Sequence, residues 1–134
     1  MLNGFMRVAS TLITLVTSLI ASSLWAEESR PASWIIQQDP EAYTLQLITL
    51  SSRTALDAFI GGPVTNAGIA EELASYRTQR NDKLLFVLIA GRFASVAEAE
   101  AAQKRLPPAL QETTPLIRQV RSVQKELRRT LQDR

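Results

Sequence analysis

Residues 43–60, YTLQLITLSSRTALDAFI, change period halfway along. Tyr43, Leu45 and Leu47 fall on one side of an extended chain and Thr44, Gln46 and Ile48 on the other, which reads as a strand. Ser51 or Ser52 then caps a helix carrying Ala55, Leu56, Phe59 and Ile60 on one stripe, and Gly61-Gly62-Pro63 is expected to end it. The second face of the strand holds an amide and a hydroxyl where a solvated face usually carries charges, which makes it a candidate for binding.

The same plan recurs downstream. Leu73 to Gln79 and Leu84 to Ala90 flank Arg80-Asn81-Asp82-Lys83, a hairpin signal. A two-residue loop would set Arg77 beside Phe86 on the core face. A three-residue loop with a bulge would put Tyr76 and Thr78 on that face and turn Arg77 to the other side with Leu85. The second register is preferred because it buries no unpaired guanidinium. Ser95-Val96-Ala97-Glu98 is a capping box opening a helix from Val96 to Leu106, stopped by Pro107-Pro108. Pro115 precedes a short apolar segment, Leu116 to Val120, and Ser122 to Leu131 forms a last helix with Val123, Leu127 and Leu131 on one face. The predicted class is α+β: a four-stranded antiparallel sheet with two helices on one face, a split β-α-β arrangement, plus a C-terminal helix. The second sheet face is expected to stay open.

The front of the chain points to export. After Arg7 comes a run from Val8 to Ile20, apolar apart from small hydroxyl residues, and Leu24-Trp25-Ala26 leads into Glu27-Glu28, a secretory signal pattern with a cut after Ala26. The alternative is an uncleaved anchor, although the run is shorter than the ~20 residues that a span needs. Either way the remainder is expected in the periplasm. With no Cys, it is held by packing alone. Of fifteen Lys and Arg only Arg7 precedes the cut, which leaves a balance of +1 against thirteen Asp and Glu. A pI near 9.4 thus reflects a small surplus rather than a basic field, and neither nucleic acid nor a membrane surface is an expected partner. Lys125, Arg128 and Arg129 read as a solvated helix end. The expected organisation is a signal peptide over 1–26, a linker over 27–40, a domain over 41–121 and a C-terminal helix over 122–134. Within the linker Trp34 is read as a clasp under the domain edge, with a ligand role as the alternative.

Enzyme chemistry finds little support. His and Cys are absent, which removes the commonest bases, thiol nucleophiles and metal ligands. Glu71-Glu72 and Glu98/Glu100 sit on exposed ends or helix faces rather than facing one another as glycosidase carboxylates must. No cofactor or metal is expected.

Tyr43 to Leu47, Tyr76 to Asp82, Phe86 to Ser95 with its Ala90-Gly91-Arg92-Phe93 core, Leu106-Pro107 and Pro115-Leu116-Ile117-Arg118 together resemble the SPOR domain. Trp34 ahead of Tyr43 also resembles the approach to that domain in some members. The resemblance implies a non-catalytic envelope module that binds peptidoglycan, in particular glycan strands stripped of stem peptides, and gathers at the division septum, with division or cell-wall proteins as further partners. By position it selects Gln46 and Thr49 as ligand groups. Leu85 and Leu116 stand where related sequences often have Trp. An indole offers a sugar both a flat apolar plate and an N–H, whereas leucine offers area alone, so weaker or altered glycan binding is expected.

The residues themselves indicate the same face. Thr44, Gln46 and Arg77 with the apolar trio Leu85, Val87 and Ile89 would share one surface, a mixture suited to neutral sugars. Two alternatives stay open at this point. The trio is covered by the C-terminal helix or the Trp34 segment, or it meets a partner protein in place of glycan.

Overall fold

A computed structural model of the chain describes residues 29–132 apart from position 70. The expected signal segment and its cut after Ala26 lie outside the described residues. Four strands form one antiparallel sheet: β1 (Tyr43–Leu50), β2 (Leu73–Arg80), β3 (Lys83–Phe93) and β4 (Leu116–Gln119), in the order β2-β3-β1-β4. The long β3 lies at the centre because its Leu84-to-Ala90 run can bury both faces. Around the sheet lie α1 (Ala32–Ile36), α2 (Arg53–Phe59), a π-helical turn (Ile60–Val64) continued by α3 (Thr65–Ala67), α4 (Val96–Arg105), α5 (Pro108–Gln111) and α6 (Val120–Gln132). No described helix is long and apolar enough to cross a membrane.

The local signals explain most of these elements. Ser52 caps α2 by accepting from the Ala55 amide, and Ser95 caps α4 by accepting from the Glu98 amide, while the Glu98 carboxylate accepts from the Ala94 N–H. Gly61-Gly62-Pro63 does not end α2 as expected. The helix widens by one residue into the π turn, which accommodates Pro63 and its missing N–H, and stops at Gly68, whose φ of +60° is left-handed.

Two hydrophobic layers sandwich the sheet. On one face Leu45, Leu47, Phe86, Leu88 and Ala90 pack against Leu56, Ala99, Ala102, Leu106 and Leu110 from the helices that follow the strands. On the other, Ala74, Tyr76, Val87 and Ile89 pack under Ile35 of α1 and Val123 and Leu127 of α6. The second face is therefore not open as expected. Both segments that could cover it do so, because α6 presents Val123 and Leu127 four residues apart on one stripe. Gln124, 3% exposed, ties the two covering helices together by donating to the carbonyls of Ile35 and Gln38. The expected linker also folds. Arg30 pairs in parallel with Ala74 at the outer edge of β2, and Trp34 packs partly buried beside Ile35, with the Arg30 and Arg92 guanidinium groups each 5.2 Å from its ring centre.

The hairpin takes the two-residue loop. Asn81 and Asp82 have φ of +53° and +63°, as a type I′ turn requires, and the register runs Tyr76↔Val87, Arg77↔Phe86 and Thr78↔Leu85. The expected bulged loop is thereby corrected. Arg77 does lie on the face of Phe86, yet it is exposed, because β2 is the edge strand and the first helical layer leaves its guanidinium in water.

Candidate functional site

Strict alternation would put Gln46 and Thr49, three residues apart, on opposite faces of β1. A β-bulge brings them together. Gln46 pairs with Ile89, but Ile48 pairs with Leu88 and Thr49 with Val87, so Ile48 turns into the first core beside Leu47 and Thr49 turns outward with Gln46. The Gln46 amide N–H donates to the Thr49 hydroxyl at 3.2 Å. This bulge corrects the expected place of Ile48, which the alternation set beside Gln46.

Leu85 and Leu116 flank this polar pair. Leu116 stands opposite Gln46 on β4 and is 54% exposed; Leu85, opposite Thr78 on β3, is half-buried. The strand order places one leucine on each side of Gln46 and Thr49. The result is a short apolar–polar–apolar strip across three strands. Val87, expected to belong to it, is 1% exposed and packs beneath the covering helices, where no ligand reaches it. Arg77 is also removed from the strip, since its register places it on the opposite face.

Residues that the sequence reading passed over organise the rest. Arg118, opposite Thr44 on β4, extends over the second face, and its Nη1 donates to the Gln46 side-chain amide oxygen, Oε1, at 2.9 Å and to the Tyr76 hydroxyl at 2.8 Å. The same nitrogen lies 2.9 Å from a Glu126 carboxylate oxygen, which also accepts from the Tyr76 hydroxyl at 3.2 Å. Arg118 therefore links the polar pair to α6. Burial pushes the Tyr76 hydroxyl well above its ordinary range, against the pull of the Arg118 charge and with the help of Glu126. Burial alone would raise the Glu126 carboxyl too, but hydrogen bonds from Thr78, Arg118 and Tyr76 and the Arg118 charge outweigh it and hold the group below the usual carboxylate range. The alternation Leu116-Ile117-Arg118 was the available signal for Arg118. Its partner Glu126 left none, because their meeting depends on where α6 docks.

Chemically, the strip can hold a neutral ligand. Gln46 uses one of its two N–H donors on Thr49 and keeps the other, Thr49 keeps its own O–H, and the two leucines supply apolar area. Among the described residues no cluster of His, Cys, Asp or Glu could hold a metal ion.

Comparison with known proteins agrees with this architecture. The chain is 33% identical over 110 residues to "Cell division protein DamX" of Serratia marcescens, a match covering 82% of this chain and 45% of that protein. The chain thus aligns with less than half the length of that relative. The sequence pattern of the SPOR domain matches residues 39–119, which take in all four strands and the helices between them. The chain belongs to the SPOR domain family.

Proposed function

We propose that this protein is a non-catalytic binder of peptidoglycan in the bacterial cell envelope, acting in the periplasm and directed to glycan strands stripped of stem peptides at the division septum. The observation that carries the reading is the strip itself. A bulge turns Gln46 and Thr49 to one face between Leu85 and Leu116, just beyond the part of the sheet that α1 and α6 cover. Membership of the SPOR family and similarity to a cell division protein support the same reading. The groups available suit a sugar polymer: the leucines meet C–H faces while the amide and hydroxyl bond to ring substituents. Partners among division or cell-wall proteins belong to the same proposal.

Retention on isolated sacculi, with and without amidase treatment, tests it. Retention that rises with amidase treatment and falls for Gln46→Ala is the expected result. Retention that needs a second protein and ignores amidase treatment would favour a protein-binding role. That rival has lost its main support, because Val87 and Ile89, the apolar floor that it requires, lie under Val123, Leu127 and Ile35.

A further inference from the structure

Beside the strip, on the other side of Arg118, lies a cleft of about 350 Å³ between α6 and the end of the hairpin. Its walls carry Arg80, Arg118, Lys125 and Arg129 against a single carboxylate, Glu126. Glu126 is already engaged by Arg118 at 2.9 Å and lies 3.8 Å from Arg80. Lys125 and Arg129 have no acidic partner among the described residues. They stand four residues apart on one side of α6, an arrangement of like charges that destabilises a helix. The helix dipole favours Arg129 in the last turn but not Lys125 in the middle, and Arg128, the third cation of the cluster, lies outside the cleft.

We infer that this cleft receives a carboxylate of the ligand: Lys125 and Arg129, with Arg80 beside them, bind the anionic substituent of a sugar whose neutral part lies on Gln46, Thr49, Leu85 and Leu116. The inference rests on the glycan reading above and adds a basis for its selectivity. In a strand that carries stem peptides the lactyl group of each muramic acid is a neutral amide. Removing the peptide by hydrolysis uncovers a free carboxylate there. A cleft with surplus positive charge, concave and shared with the strip through Arg118, distinguishes those two states by charge. Thr78, Ser122 and Thr130 line the same walls, but their hydroxyl protons are already given to the Glu126 carboxylate, the Gln119 carbonyl and the Glu126 carbonyl, so the cations are the groups left for an anion. An anion between Lys125 and Arg129 would also relieve their mutual repulsion.

The test uses the full-length protein and amidase-treated sacculi, either left as they are or with their carboxyl groups converted to neutral methylamides. Blocking is expected to weaken wild-type binding about tenfold, the scale of one charge-assisted contact. The K125Q/R129Q variant should lose about the same on unblocked sacculi, show little further loss on blocking, and unfold at no lower temperature than wild type. A merely structural role for the two cations would lower its unfolding temperature. Equal wild-type binding to blocked and unblocked sacculi, with Gln46→Ala still impaired, would overturn the cleft while leaving the strip. Loss of dependence on both Gln46 and the carboxyl groups would overturn the two together. If the double variant instead lost only binding to vesicles of anionic phospholipid, the cleft would be a phosphate site and the inference wrong.

Discussion

Arg118 carries more of this protein than its sequence position suggests. It is one-fifth exposed and meets the Gln46 side chain, the Tyr76 hydroxyl and the Glu126 carboxylate at once, so its removal takes one partner from each of three polar groups. Arg118→Ala should cost about 2 kcal/mol in urea denaturation and weaken sacculus binding through the loss of Gln46 orientation. Arg118→Lys should recover part of this loss, since one nitrogen, Nη1, meets all three acceptors and an ammonium carries three donors on one atom, while the Nη2 bond to Ser122 is not replaced. Glu126 supplies the pH dependence. Its folded-state carboxyl is held below the ordinary value of 4.5, so its contribution is present above that pH and is lost as the pH falls through the lower, folded value. The stability gap between wild type and Glu126→Gln should therefore narrow on going from pH 7 to pH 3, as read by denaturation at each pH. Gln46 and Thr49 were legible as candidates from their types and from family resemblance. Their shared face was not, because alternation alone places them on opposite sides.

At the scale of elements, the hairpin and α6 correct the sequence reading in opposite ways. The hairpin reading avoided a buried guanidinium and so chose the wrong register, whereas in the register observed the edge strand keeps Arg77 wet, and the second face to which the bulged loop would have turned it is the covered one. The two-residue turn holds Asp82 at φ +63°, where glycine would be unstrained. Asp82→Gly should stabilise the protein by about 0.5 kcal/mol, seen as a higher urea midpoint with unchanged slope. Gly91 is the reverse case, with φ of +78° and the Phe93 ring 2.5 Å from where a Cβ would stand, so glycine there is required. The last helix was legible from its stripe and begins two residues earlier than expected, at Val120. It is a structural layer rather than an appendage. Leu127→Ala, at a position 4% exposed against Tyr76 and Val87, should cost about 2–4 kcal/mol in chemical denaturation.

Across the whole molecule, the covering of the second sheet face decides how much surface a ligand can use. Ala74, Tyr76, Val87 and Ile89 are given over to a second core, and the strip around Gln46 with the adjoining cationic cleft is what stays accessible. The proposed binding area is then small and lacks indole. Leu85→Trp should strengthen retention on amidase-treated sacculi severalfold, roughly the gain of one added aromatic contact, and an unchanged affinity would show that Leu85 lies outside the ligand path. Lys125 and Arg129 were legible as charges but read as a solvated end, since their concave setting exists only once α6 lies against β2.

The sequence by itself determined the strands, the main helices, their order and the split β-α-β class, because periodicity, serine caps and turn residues act between neighbours in the chain. Tertiary structure decided which side chains remain for binding. That choice depends on a one-residue slip in β1, on an edge strand facing water and on two helices from opposite ends of the domain meeting over one sheet. These are contacts between segments far apart in sequence, and burial there is settled by the partner that arrives rather than by the residue that waits.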